Sequence, residues 1–301
     1  METRPPMPPA TLPAWLAGLA ALLVLTGCTA TSEPDGARSA PSTSVGADVQ
    51  PTENPQDTGT EPSPGPSLEP PPEEIACRQL SVEGLSTIVN DDPAVPCRRR
   101  HTVITYHVGE LPAAVAENAI STGDAPVEDA ADRLCAREFR DYVGGSRTQR
   151  RLSMLTPTYF LPSDEQFALG ARWVRCDVYA YATPEELSAL PRDLGGALER
   201  ERSRNSFTRC SPVSPSAQRF RHVACTQPHQ WRAVATQTVG GPNERYPGAA
   251  TVQDRALGRC EEPVRRYLDT DASFSYGFEV PRRDAWAEGD RVALCWAQTS
   301  R

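Results

Sequence analysis

The stretch Pro162-Ser-Asp-Glu-Gln-Phe167-Ala-Leu-Gly170-Ala-Arg172-Trp-Val-Arg-Cys176 recurs as Pro281-Arg-Arg-Asp-Ala-Trp286-Ala-Glu-Gly289-Asp-Arg291-Val-Ala-Leu-Cys295. Proline, an aromatic residue, glycine, arginine and cysteine keep their spacing in both copies, and we call this pattern the cassette. The fixed spacing from aromatic residue to cysteine favours burial beside a closing strand, rather than exposure as a platform that stacks on sugars. Gly170 and Gly289 are expected in the turn before that strand. Packing does not explain Arg172 and Arg291, which we therefore take as candidate binding residues.

The cysteines repeat in the same order as the cassette. They form two quartets: Cys77, Cys97, Cys135 and Cys176, then Cys210, Cys225, Cys260 and Cys295. The shared spacing indicates a tandem duplication, and an even cysteine count in an exported chain is typical of a disulfide framework. Four cysteines allow three pairings, among which the sequence does not choose. We prefer pairing within each repeat: Cys77–Cys97, Cys135–Cys176, Cys210–Cys225 and Cys260–Cys295.

A histidine follows the second cysteine of each quartet at the same distance. These residues are His101 and His229. A repeated Cys-x3-His pair could suggest zinc, but thiolate ligands require a reducing compartment. We therefore predict no metal and no cofactor, and expect both histidines to orient the start of a strand by hydrogen bonding. They join the two arginines as candidate binding residues, whereas Arg98-Arg99-Arg100 has no counterpart in the second copy and is expected to be a solvated turn.

Periodicity predicts the same secondary structure in both repeats. Alternating β-branched residues predict strands over 101–108 and 229–236, and the cassettes lead into closing strands at 172–181 and 291–297. Helices are predicted over 127–142 and 251–268, the second with a kink or restart at Pro263. Between the repeats, Thr183 and Pro184 predict the start of a helix over 182–190. The predicted fold class is α+β: two tandem small disulfide-stapled domains, each a few-stranded antiparallel sheet with one helix, after a disordered tether.

The amino-terminal part predicts export and lipid anchoring. An apolar run too short for a permanent transmembrane helix ends in Leu25-Thr26-Gly27-Cys28, which resembles a bacterial lipobox. Residues 1–27 are then a signal peptide, and Cys28 carries the lipid that holds the protein to the extracytoplasmic face of the cell membrane. Residues 28–76, rich in proline, serine, threonine and glutamate, are expected to be a disordered linker. The remaining boundaries are 77–181 for repeat 1, 182–206 for a connector and 207–301 for repeat 2.

Charge and composition exclude several kinds of function. The net charge is −8, but Thr29 to Ala76 contains nine acids and one arginine, so the rest is balanced and favours no nucleic acid partner. All 31 basic residues are arginine, which excludes a Walker A or Schiff-base lysine. No Gly-x-Ser-x-Gly motif occurs, and the acidic pairs Asp91-Asp92 and Glu261-Glu262 are expected to be solvated. We therefore expect no enzymatic activity and assign no catalytic residue.

The spaced residues of repeat 2 resemble the septum-formation-related domain of actinobacteria. They comprise the Val-x-Cys-x3-His motif that ends at His229, Tyr246-Pro247-Gly248, Cys260 and Trp286-x2-Gly289-x5-Cys295. Repeat 1 keeps the cysteines, His101, Phe167 and Gly170. The family commonly has an acid three residues after the histidine, where this chain has Ile104 and Arg232. The resemblance implies a membrane-tethered envelope protein associated with septation and without established catalysis.

Together these observations predict a non-enzymatic envelope lipoprotein that binds partners at the extracytoplasmic face. The expected partners are the membrane, through the anchor, and envelope or division proteins or the cell wall. The alternative is an extracytoplasmic ligand-binding or sensor module for a small molecule or a cell-wall glycan.

Overall fold

The computed structural model describes residues 65–299. The signal peptide, Cys28 and most of the proposed tether lie outside these residues. The last residues before repeat 1 contact the first cassette, because the side chain of Gln166 donates to Ser67 O (3.0 Å) and accepts from Glu69 N (2.8 Å). Within the described part of the chain, no helix combines the length and hydropathy needed to cross a membrane.

Repeat 1 is a five-stranded antiparallel sheet with one long helix. The strands are β1 (Cys77–Arg78), β2 (Val103–Glu110), β3 (Leu155–Phe160), β4 (Trp173–Thr183) and β5 (Glu186–Leu187). The helices are α1 (Ala113–Ala116), α2 (Ala125–Val143), α3 (Arg147–Leu152) and α4 (Asp164–Ala168), with a 3₁₀ turn at Glu83–Leu85. The sheet order is β1-β2-β4-β3, and β5 pairs with the end of β4.

Repeat 2 has the same topology. Its strands are β6 (Arg209–Ser211), β7 (Val223–Ala224), β8 (Trp231–Thr238), β9 (Tyr276–Glu279) and β10 (Val292–Gln298). Its helices are α5 (Glu201–Phe207), α6 (Ala249–Leu268) and α7 (Arg283–Ala287). The order β7-β6-β8-β10-β9 reproduces that of repeat 1, since Val95 bridges Cys77 just as β7 pairs with β6. The α+β class and the duplicated organisation are confirmed.

Two disulfides join the elements of each repeat, four in all among the described residues. They are Cys77–Cys97, Cys135–Cys176, Cys210–Cys225 and Cys260–Cys295, the pairings that we preferred among the three that each quartet allows. One disulfide of each repeat fastens the long helix to the central closing strand, and the other fastens the first strand to the segment that follows it. Because small domains bury limited apolar surface, such cross-links add stability that the core alone does not provide.

The long helices bury one face by spacing apolar residues four apart. In α2 these are Val127, Ala131, Cys135 and Phe139, and in α6 they are Val252, Ala256, Cys260 and Val264. Residues four apart share a helical face, so each row packs on its sheet. The restart expected at Pro263 is wrong, because α6 runs without a break from Ala249 to Leu268. The alternative of a kink at the proline stays a prediction. The disulfide at Cys260 and the buried Val264 hold the helix to the sheet on both sides of the proline.

The helix predicted over 182–190 is also wrong. Strand β4 continues through Thr183 and turns directly into β5, with Tyr181 opposite Leu187. The Thr183 hydroxyl accepts a hydrogen bond from Glu185 N at 3.3 Å, so it stabilises a tight turn instead of a helix start. A threonine followed by proline is typical both of a helix start and of a tight turn. Burial of Leu187 favours the hairpin.

The connector between the repeats belongs to the core of repeat 1. Leu194, Ala197 and Leu198 are fully buried and pack with Phe139 and Val143 of α2. Main-chain hydrogen bonds from Gly196 N to Tyr142 O (2.8 Å) and from Leu198 N to Val143 O (3.0 Å) fix it there. The charged residues of this segment therefore lie on its outer side, and α5 then leads into repeat 2.

The two repeats form one compact unit. Met154 N donates to Phe207 O at 2.7 Å, and Ser153 bridges Thr208. Leu152 packs against the cluster of Trp231 and Trp296 on the sheet of repeat 2. The face of that sheet opposite α6 is thus covered partly by repeat 1.

Candidate functional site

Each cassette folds into a short helix, a tight turn and the closing strand. In the first, Gly170 N donates to Phe167 O and Ala171 N donates to Gln166 O; in the second, Gly289 N donates to Trp286 O and Asp290 N to Ala285 O. This pair of bonds is the Schellman motif, which ends a helix with a residue of positive φ. Gly170 has φ 108° and Gly289 has φ 94°, so the predicted turn role of both glycines is confirmed.

The cassette arginines hold that turn together from inside. Arg172 lies over the Phe167 ring, with Cζ 3.9 Å from the centroid, and donates to Phe167 O at 2.6 Å. Arg291 lies over the Trp286 ring at 4.2 Å, and donates to Trp286 O and to Gly241 O (3.1 Å). Stacking and carbonyl capping explain why both copies keep an arginine here. Binding of a ligand by these arginines stays a prediction.

The aromatic residues of the cassette belong to the core. Phe167 and Trp286 are each 2% exposed, which excludes them as platforms for a sugar. Trp286 Nε1 donates to Glu244 O at 2.7 Å, so its polar atom is also satisfied. The core interpretation is confirmed for both repeats.

His101 and His229 make the same local contact in the two repeats. Nδ1 of each ring lies 2.8 Å from the carbonyl oxygen two residues earlier, on Arg99 and on Gln227. Both rings are buried and stand just before β2 and β8. His229 also lies within reach of the sulfur atoms of Cys210 and Cys225, but these form a disulfide and so offer no thiolate to a metal. The geometry fits the predicted role of orienting the strand start, and ligand binding by these histidines stays a prediction.

The other charged motifs of the sequence are solvated. Arg98, Arg99 and Arg100 form an exposed turn. Glu261 and Glu262 each form an i,i+4 ion pair, with Arg265 and Arg266, as on an ordinary helix surface. Neither motif converges on a cleft.

A cluster at the junction of the repeats has the chemistry of a site. His222 Nε2 lies 2.9 Å from Glu279 Oε2, and its Nδ1 lies 3.4 Å from Arg209 Nη1. Arg209 also donates from Nε to Ser153 O at 3.0 Å, so the cluster joins β6 and β9 to repeat 1. The His222 ring stacks on Trp296, with centroids 5.5 Å apart and an interplanar angle of 18°. We call Arg209, His222 and Glu279 the junction triad.

Hydrogen bonding in the junction triad indicates which ring nitrogen of His222 carries a hydrogen. Nδ1 of His222 faces a guanidinium, which can only donate, so this nitrogen is an acceptor and Nε2 carries the hydrogen toward Glu279. Burial lowers the pKa of Arg209, partly offset by attraction to Glu279. In a hydrolytic triad the second ring nitrogen faces a hydroxyl or thiol nucleophile. Here Arg209, and not a hydroxyl or thiol, faces that nitrogen.

Three adjoining clefts surround the junction triad. One of about 460 Å³ lies on the repeat 1 side, between Tyr179 and Arg209. A second of about 220 Å³ lies between Arg209 and Glu279. A third of about 460 Å³ opens on the repeat 2 side, along His222 and Phe278. This site is not visible in the sequence, because its three members belong to no repeated motif.

The chain matches the septum-formation family at residues 76–277 and again at residues 209–301. The first match covers more than half of the chain, so the chain belongs to this family. Residues 209–277 lie in both matches, which agrees with two related copies in one chain. No curated protein and no solved structure matches it.

Proposed function

We propose that this chain is a non-enzymatic lipoprotein of the cell envelope that acts in septum formation by binding partners at the extracytoplasmic face. The family match carries the connection with septum formation. The anchor rests on the Leu25-Thr26-Gly27-Cys28 motif and the apolar run before it.

The disulfides support an extracytoplasmic location. All eight cysteines of the described residues form disulfides within their own repeat. Such bonds persist in oxidising compartments and are rare in the reducing cytosol. Four such bonds therefore support folding outside the cytoplasm.

The junction triad supports binding over catalysis. Its histidine is held between a carboxylate and a guanidinium, and no nucleophile of the described residues hydrogen-bonds to it. Hydrolysis would require a nucleophile or an activated water at the nitrogen that Arg209 occupies.

Lipid attachment is tested by labelling and fractionation of cells that express the full-length chain. The wild type should incorporate radiolabelled palmitate and remain with membranes, whereas Cys28→Ala should do neither. Thr29→Ala is the matched control and should behave as wild type. Membrane retention and labelling of Cys28→Ala would contradict the anchor.

Function at the septum is tested by depletion and imaging. Loss of the protein should delay or misplace septa, and a fluorescent fusion should concentrate where septa form. Purified protein should release no soluble fragments from cell-wall preparations. Release that Glu279→Gln abolishes would contradict the non-enzymatic assignment.

A further inference from the structure

We propose that the clefts around Arg209 form a binding site for an oxyanion-bearing ligand, whose carboxylate or phosphate group lies between Arg209, Arg221 and Arg282. This inference concerns the folded repeats alone and holds wherever the protein resides, so its test does not depend on the lipid anchor.

The cationic groups of the site lack carboxylate partners. Within residues 65–299, Arg209, Arg221 and Arg282 form no salt bridge. The nearby Arg151, in contrast, is neutralised by Asp290 through two hydrogen bonds of 2.5 and 3.0 Å. Glu279 accepts a hydrogen bond from His222. The negative charge of Glu279 is therefore only partly available to Arg209.

Arg209 is the group that most needs an anion. It is half-buried, and the loss of hydration lowers its pKa. A guanidinium has five N–H donors, but Arg209 uses only Nε and Nη1 in the described structure, toward Ser153 and His222. A part-buried cation with unused donors gains most from a carboxylate or phosphate, which a guanidinium can bind through two parallel hydrogen bonds.

The clefts share these arginines among them. Arg209 lines the first and second clefts, Arg221 the first and third, and Arg282 the second and third. An anion in any one of the three clefts would therefore lie beside two of these arginines. Ser153 O and His222 Nδ1 also orient Arg209, because they hold two of its nitrogens in place.

Aromatic side chains supply the rest of the site. Tyr179 and Tyr181 line the first cleft and lie edge to face, with ring centroids 5.3 Å apart. Phe220 and Phe278 line the third. Arginine beside aromatic surface is suited to a ligand that has a charged group on a larger, partly apolar body. A carboxylated sugar and a phosphorylated compound both have this form.

The test is calorimetric titration of the full-length protein with inorganic phosphate and with N-acetylmuramic acid, a carboxylated sugar. Uncharged N-acetylglucosamine is the matched ligand control. We expect binding of phosphate, of the carboxylated sugar or of both, weakened by added salt, and no binding of the uncharged sugar. The stronger of the two anions identifies the ligand class. Absence of binding by both anions at millimolar concentration would overturn the proposal.

Substitutions locate the site. Arg221→Gln and Arg282→Gln should each weaken binding by about tenfold or more, as expected for loss of a charge-assisted hydrogen bond. Both side chains are exposed, so these variants should fold normally. Arg219→Gln is the matched control, since Arg219 is exposed but lines none of the three clefts.

Glu279→Gln provides a test of opposite sign. Removal of this negative charge should strengthen anion binding. Glu279 and the ligand both interact with the positive charge of Arg209, so they compete for it. Weakening by Arg219→Gln equal to that by Arg221→Gln, or weaker binding in Glu279→Gln, would show a diffuse surface attraction instead of this site.

Discussion

Arg175 and Asp177 form a buried ion pair in the closing strand of repeat 1, with Nε 3.1 Å from Oδ2 and side-chain exposures of 3% and 0%. Asp177 also accepts from Thr105 at 2.7 Å, and Arg175 donates to Asn90 O and Oδ1. Burial lowers the pKa of Arg175, and the attraction of Asp177 opposes that shift. The network ties the loop around Asn90 to the sheet.

Repeat 2 has apolar residues at the two equivalent positions. Counted from the strand cysteine, Arg175 and Asp177 correspond to Leu294 and Trp296. These two belong to the cluster that Leu152 of repeat 1 covers. The duplicated strand has therefore diverged so that one copy carries a polar network under its own loop and the other carries the apolar surface on which the repeats meet.

Asp177→Ala should destabilise the protein by about 3–5 kcal/mol, because it leaves the buried Arg175 guanidinium without its carboxylate. Urea unfolding followed by circular dichroism measures the change. The double variant Arg175→Leu, Asp177→Val is the control, since it removes both charges together. Its loss should be smaller than that of Asp177→Ala; an equal or larger loss would mean that the cost comes from packing and not from the unpaired charge.

Local patterns predicted the parts of the fold that depend on neighbours in sequence. The strands β2, β4, β8 and β10 and the helices α2 and α6 were found within two residues of their observed ends. The hairpin at Thr183 does not follow from the local sequence, because a threonine before proline serves equally as helix cap and as turn residue. Which structure forms depends on the burial of Leu187. The role of the cassette arginines was likewise hidden, because it depends on the carbonyl groups that a Schellman turn leaves within reach.

The junction triad could not be predicted from the sequence. His222 and Glu279 are 57 residues apart and no periodicity connects them. They meet because β9 lies at the edge of the sheet in repeat 2 and the segment after β6 folds across it. Only the docking of Ser153 against Arg209 then completes the cluster.

Gly289→Ala should destabilise the protein by about 1–3 kcal/mol, and Gly170→Ala similarly. At both positions an added Cβ would meet no atom within 4 Å, so the cost is that of a side chain at φ 94° or 108° and not of a clash. Gly258→Ala is the matched control. Gly258 lies inside α6 with equally open space, and alanine there should stabilise the protein by about 0.5–1 kcal/mol. Thermal and urea unfolding measure all three; stabilisation by Gly289→Ala would contradict the helix-ending role.

Acid should remove the contribution that two carboxylates make to the stability of the folded protein. Hydrogen bonds from the backbone of Thr122 and from the Ser121 and Thr122 hydroxyls lower the pKa of Asp164, and hydrogen bonds from Gly241 N and Arg255 lower that of Glu244. A carboxylate with a depressed folded pKa stabilises fully above its unfolded value of about 4 and loses that effect as the pH falls through the folded pKa. The melting temperature should therefore fall as the pH drops below about 4.

Asp164→Asn tests that assignment. The melting temperature of this variant should lie below that of the wild type at neutral pH, and the difference should narrow as the pH falls. Asp271→Asn is the control, because Asp271 is exposed and receives no hydrogen bond within the described residues. A constant difference between wild type and Asp164→Asn from pH 7 to pH 3 would show that the hydrogen bonds to Asp164 do not depend on its charge.

The disulfides bear both on the tandem duplication of the chain and on its stability. Because the sheets share one topology, Cys135–Cys176 and Cys260–Cys295 occupy equivalent places, each joining a long helix to the central strand beside it. Peptide mapping without reduction should yield only the four within-repeat pairs. Cys260→Ser with Cys295→Ser should lower the free energy of unfolding by about 2–5 kcal/mol, as should the equivalent double substitution in repeat 1. A disulfide-linked peptide that joins Cys77 to Cys295 would contradict both the pairing and the duplication. The cysteines of the two closing strands would then be bonded to different kinds of element.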